Sequence, residues 1–254
     1  MEGKISDGCK GGRSLLWVAL GVLVMGLANP ENILSLRMKN QGSLEEPNID
    51  NNTHDEPKWQ LVEDSAGFRT FVSRVPGSNI LALRGQAIVN EHIGRLYSAF
   101  LNTTSTLDWV RYLVEVEELP VRSRRWQHGG GAGGVLFQRF DMPWPVKDRE
   151  VVLERILQVD KRAKKMVATY HSTEHPARPI NRSTVRAIVH RTIWSLTALE
   201  GSRTAVDFET RTDPRGALPG AIVTFLQKRF LKDTVYDFVR TARREPIHSA
   251  MTKW

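Results

Sequence analysis

The chain has 254 residues, 41% of them hydrophobic and 25% charged, enough for one sizeable domain with its own core or for two small ones. A single cysteine, Cys9, excludes an intrachain disulfide, a cysteine-rich zinc site and a cysteine-based redox pair. The formal net charge of +8 favours anionic partners, whether phospholipid surfaces or nucleic acid, without choosing between them.

The chain begins with "MEGKISDGCKGGR", which carries Lys4, Lys10 and Arg13, and continues into the apolar run "SLLWVALGVLVMGLA". The run is short for a bilayer span of ~20 residues. It ends in Gly26-Leu27-Ala28, a small-residue pattern suited to cleavage. Residues 1–28 therefore read as a secretory signal or an uncleaved signal anchor, which places the protein in the secretory pathway or at a membrane. The alternative is a segment without targeting role in a cytoplasmic protein. On the secretory route, the N-x-Ser/Thr triplets at Asn51, Asn102 and Asn181 are open to glycosylation. Residues 29–57 follow as a flexible polar linker with Glu31, Glu45, Glu46, Asp50, Asp55 and Glu56. From 58 to 248 no second linker interrupts the pattern, which predicts one domain.

Within that domain residues 79–89 read as a strand and 91–102 as a short helix. Strands follow over 135–140, 150–159, 165–172, 184–196 and 203–212, with turn residues between them. The last alternates Thr204, Val206, Phe208, Thr210 and Thr212 against Arg203, Asp207, Glu209 and Arg211, the signature of an antiparallel sheet with one solvated face. The turn "TDPRGALPG" leads into a long helix with Pro219 in its first turn. Leu226, Phe230, Leu231, Val235, Phe238, Val239 and Ala242 give that helix an apolar face to lay on the sheet. The class is α+β.

The strand at 150–159 poses a question, because Val151, Leu153 and Leu157 share their face with Arg155. A charge there loses hydration unless it finds a partner. Arg155 is either part of a core ion pair or an edge residue that snorkels outward, or else the polar group of a cavity that orients one end of a ligand.

Other motif matches weaken on inspection. His171, Glu174 and His175 fit H-x-x-E-H, but they close a strand, where positions four apart lie ~13 Å from each other, too far for one zinc. Gly129, Gly131 and Gly134 fit G-x-G-x-x-G inside a glycine run, yet a strand follows where phosphate binding requires a helix, so a hairpin loop is expected. Arg122, Arg124 and Arg125 with Trp126 read as a solvated basic edge.

Five stretches carry a specific resemblance: "WQLVEDSAGFRTFVSR", "TSTLDWVRYLVEVEEL", "DMPWPVKDREVVLERI", "STEHPARPINRSTVRAIVHRTIWSL" and "VDFETRTDPRGALPGAIVTFLQKRF". Together, over residues 59–244, the chain resembles the START domain, the steroidogenic-acute-regulatory-protein-related lipid transfer family. The resemblance implies a helix-grip fold, a curved antiparallel sheet around a long C-terminal helix with an internal hydrophobic tunnel for one lipid. It implies lipid binding and transfer without enzymatic activity. Two alternatives are a helix-grip enzyme acting on a small hydrophobic substrate, and a lipid-sensing tether.

On this resemblance Arg155 points into the tunnel, and Val151, Leu153, Trp109, Trp194, Phe208, Leu226 and Phe230 line it. The loop 141–148, with Met142 and Trp144, and the last helix, with Lys228, Arg229 and Lys232, would form a gate that meets an anionic membrane. In phosphatidylcholine-binding members a basic residue precedes the tryptophan matched by Trp109 by three positions. Here that residue is Thr106, so phosphocholine recognition of that kind is not expected. A sterol, a fatty acyl chain, a ceramide or another phospholipid stays open as ligand. No cofactor, metal or nucleic acid is expected, and the protein is expected to act as a monomer.

Overall fold

The computed structural model describes residues 57–75, 80–121, 132–216 and 230–254. Ten strands form one sheet: β1 (Gln60–Ser65), β2 (Phe68–Arg74), β3 (Leu81–Val89), β4 (Leu113–Leu119), β5 (Ala132–Phe140), β6 (Arg149–Asp160), β7 (Lys165–Ser172), β8 (Val185–Arg186), β9 (Ile188–Leu199) and β10 (Arg203–Asp213). Three α-helices accompany them: α1 (Ile93–Leu101), α2 (Thr106–Trp109) and α3 (Leu231–Ala242). The strand order is β1-β2-β3-β10-β9-β7-β6-β5-β4, with every neighbouring pair antiparallel, while the short β8 pairs with β6 in parallel. Ala66 and Gly67, both at positive φ, form the two-residue turn between β1 and β2 that matches the twist of its strands.

Period-two burial gives the curved sheet an inner face. On β10 Thr204, Val206, Phe208 and Thr210 are buried, and the residues between them are not. The helix that covers this face is amphipathic: Leu231, Val235, Phe238, Val239 and Ala242 turn inward, while Arg240 and Tyr236 stay exposed. Trp194 of β9 and Phe208 of β10 are cross-strand partners whose rings stack at 4.1 Å. Phe238 packs on this pair, and Phe100 of α1 and Trp109 of α2 close the cluster, with centroids 4.6 and 5.0 Å from Phe238. Beside it the ring of Phe68 lies against Gly85, where an added Cβ would stand 2.5 Å from Phe68 Cζ. Only a glycine lets the Phe68 ring, with Leu231 of α3 behind it, lie over β3 at that point.

The α+β helix-grip expectation holds. One strand differs: the stretch 184–196, read as continuous, breaks at Ala187. Its first part leaves the sheet path as β8 to lie beside β6, with Ala187 N–H donating to Glu150 O at 3.0 Å, and its second part turns into β9 between β7 and β10.

Candidate functional site

The inner face of β6 is the row Arg149, Val151, Leu153, Arg155 and Leu157, all buried. Register extends each position across the sheet. Beside Leu153 stand Leu136 of β5 and Ser172 of β7. Beside Arg155 stand Gly134 of β5 and Tyr170 of β7, and the same line continues through Thr192 of β9 and Thr210 of β10 to Leu83 of β3. Thr192 and Thr210 join their hydroxyls at 2.8 Å, and Thr210 meets Thr212 at 3.1 Å. A line of polar side chains thus crosses an otherwise apolar wall, between the aromatic cluster on one side and a second apolar group, Leu136, Val151, Leu153, Ala187 and Val189, on the other.

Arg155, 6% exposed, answers the question raised by its position with several bonds at once. Its Nη1 donates to Phe100 O and to Thr103 Oγ1, each at 3.0 Å, and its Nη2 donates to Glu118 Oε1 at 3.1 Å. Phe100 O belongs to the last turn of α1, where unpaired carbonyls favour a cation. The guanidinium therefore fastens α1 and β4 to β6. Glu118, 58% exposed in its side chain, connects this ion pair with solvent. The Arg155 Nε is buried with no hydrogen-bond partner among the described residues, and so is Trp109 Nε1.

Two observations describe the surroundings of this guanidinium. Burial pushes the Tyr170 phenol up to about 12, with the Arg155 charge pulling in the opposite direction, yet the side chain keeps part of its accessible surface. Gly134, directly across from Arg155, has nothing within 4 Å of the position a Cβ would take.

The Pro-rich loop lies at the other end of the row. Val146 anchors it by burial and donates its N–H to Pro143 O at 3.0 Å, Asp148 accepts from Met142 N at 3.2 Å, and the Trp144-Pro145 peptide is cis. Trp144 between them is 93% exposed. Phe230 stands just ahead of α3 and packs against the main core, and Lys232 donates to Ser65 Oγ at the β1–β2 turn. Leu226, Lys228 and Arg229 lie outside the described residues, as do Arg122, Arg124, Arg125, Trp126 and residues 1–28. The H-x-x-E-H residues serve the opposite face and a loop: His171 pairs with Glu154 across β6 and β7, and His175 Nε2 meets Pro120 O at 3.0 Å.

The family model described as the START domain matches residues 39–248. The chain belongs to the START domain family. This is a family of lipid binding and transfer. By sequence the chain is 23% identical to PA1579 of Pseudomonas aeruginosa over 185 residues, 73% of this chain and 85% of that protein. In fold it is similar to human STARD10, with TM-score 0.64 at 15% identity, over 86% of this chain and 81% of the other. It is also similar to human StAR-related lipid transfer protein 5, with TM-score 0.64 at 14% identity, over 84% and 92%. A STAR-related lipid transfer protein fragment from Xanthomonas axonopodis gives TM-score 0.57 at 17% identity, over 73% and 99%.

Of the residues expected from sequence, the structure brings Val151, Leu153 and Arg155 together on one row. It gathers Trp109, Trp194 and Phe208 into the neighbouring aromatic cluster. Tyr170, Thr192 and Thr210 escaped the sequence reading, because only the register of three strands aligns them. Arg149 escaped it too, although the parity of Val151 continued back by two positions points to it.

Proposed function

We propose that this START domain holds one lipid between the inner face of its sheet and α3 and carries it between membranes. The observation that carries the reading is the apolar wall of β6 around Arg155, where the Cβ direction of Gly134 is open and Arg155 Nε is a buried donor without a partner among the described residues, able to hydrogen-bond one polar end of a ligand. Val151 and Leu153 contact the lipid, and Trp109, Trp194 and Phe208 close the tunnel at its packed end. Phe230 covers it from the side of the last helix.

The membrane contact is the loop 141–148. An indole 93% exposed has an apolar body and one N–H donor, a chemistry matched to the interfacial layer of a bilayer. Met142 enters with Trp144, and Lys228, Arg229 and Lys232 attract anionic lipid at ~1 kcal/mol each when close to the surface. Residues 1–28 keep the domain in the secretory pathway or at its membrane, and it works as a monomer.

The test is lipid extraction and mass spectrometry of the purified full chain, followed by transfer of a fluorescent lipid between vesicles. One lipid class should co-purify and transfer should accelerate with protein. Trp144→Ala should slow transfer severalfold while the bound lipid stays. Bound lipid without any acceleration would make the protein a sensor or tether. No bound lipid and no acceleration would remove the reading altogether.

A further inference from the structure

Arg149 opens β6 on the same face as Arg155, six residues away, which is ~20 Å along a strand. Both residues are 6% exposed. Their partners differ in kind. Arg155 has the Glu118 carboxylate, while Arg149 is held by backbone carbonyls: Nε donates to Pro214 O at 3.3 Å, Nη2 to Arg215 O at 3.0 Å, and Nη1 to Lys147 O. Three of its five N–H donors are used, and one on each terminal nitrogen remains.

Carbonyl oxygens satisfy donors but do not neutralise a charge. Among the described residues no carboxylate forms an ion pair with Arg149: the adjacent Asp148 pairs with Arg139 and Glu150 with Arg186, and Asp213, next to the Pro214 and Arg215 carbonyls, pairs with Arg215. The internal segments outside the described residues, 76–79, 122–131 and 217–229, contain neither Asp nor Glu. Desolvation lowers the Arg149 pKa, and no neighbouring charge opposes that shift. A guanidinium stays protonated even so, and a buried cation with no carboxylate partner among the described residues calls for an anion. The position is equally specific. Arg149 bridges the Pro-rich loop, through Lys147, and the turn that precedes the last helix, through Pro214 and Arg215. On the side of Gly216, at φ +67°, the nearest atom to an added Cβ is Arg149 Nη2 at 3.6 Å.

We propose that Arg149 is an anion subsite, taking the phosphate or carboxylate head of an amphiphile whose chain runs along Val151 and Leu153. The ligand class is thereby an anionic lipid. This rests on the inner face being the lipid site.

The full chain is titrated with oleate and oleyl alcohol, and with phosphatidic acid and the matching diacylglycerol. At least one anionic member should bind about tenfold or more tightly than its neutral counterpart, and the preference should fall with added salt. Preference for oleate alone identifies a carboxylate, and preference for phosphatidic acid alone a phosphate. Arg149→Lys should keep the preference. Arg149→Gln should abolish it, the ratio of anionic to neutral affinity within each pair being the readout, with the melting transition recorded for each variant. If Arg149→Gln does not fold, the salt-sensitive preference of the unaltered chain and its retention in Arg149→Lys decide. Equal affinity within each pair, or a preference that survives in folded Arg149→Gln, overturns the proposal and leaves the lipid site standing. Failure of all four probes to bind overturns both.

Discussion

The inner face of this sheet has two halves with opposite construction. Under the helices Trp194, Phe208, Phe238, Phe100 and Trp109 fill the space ring against ring. Along β6 and its neighbours a guanidinium, a phenol and threonine hydroxyls interrupt the apolar wall, and Gly134 leaves room beside them. Close packing in the first half supplies stability, since dispersion contacts and excluded water both scale with filled space. The second half gives up some of that stability at its polar line and, on the proposed function, takes the ligand there. On that proposal one sheet serves as both a core and a binding wall.

The division is tested hardest in the packed half. Phe238 is 0% exposed and touches three other aromatic rings. Phe238→Ala should lower unfolding stability by about 3–5 kcal/mol, the range for a buried aromatic whose site cannot collapse. Chemical denaturation reads this directly. A loss below ~1 kcal/mol would mean that the cluster is already loosely filled and that the two halves do not differ as described.

A smaller effect belongs to Tyr170. Its phenol is raised by burial from the ordinary 10.0 to about 12, so between these values the unfolded chain releases a proton that the folded chain keeps. Stability from this group is therefore fully present below pH 10, falls as pH rises above 10, and levels off near 12. Two units correspond to roughly 2–3 kcal/mol. The difference between the unaltered chain and Tyr170→Phe isolates it from other groups that titrate in alkali. Identical alkaline slopes would show Tyr170 to be hydrated, and the space beside it would then be open water.

How far each half is legible in the sequence follows from the range of the interactions. Alternation at Val151, Leu153, Arg155 and Leu157 is local, so both the wall and its buried charge could be read. The partners of that charge could not, because Phe100 O, Thr103 and Glu118 come from a helix turn and an edge strand far along the chain. β1 and β4 carried weak strand signals for a physical reason: their registers shift between Leu61 and Glu63 and between Leu113 and Glu115, and a bulge breaks period two. Arg149 was read as part of the proline-rich motif rather than as the first inward residue of β6. Its carbonyl cradle depends on a turn more than sixty residues away.

The smallest change in stability and the sharpest change in binding should come from Gly134. A glycine inside a strand lowers stability by roughly 0.5–1 kcal/mol relative to alanine, through chain entropy and the missing side chain. Here the direction of its missing Cβ is open, and Arg155 stands across from it. Gly134→Leu therefore places its Cβ without a clash, and its stability should stay within about 1 kcal/mol of the original, since the entropy regained offsets minor repacking. The same side chain occupies the space assigned to the ligand. Lipid bound per protein, measured by extraction, should fall severalfold. Retained lipid with unchanged stability would move the ligand away from Arg155 toward the Arg149 end of the row. A large loss of stability would show that protein atoms, rather than a ligand, fill the second half.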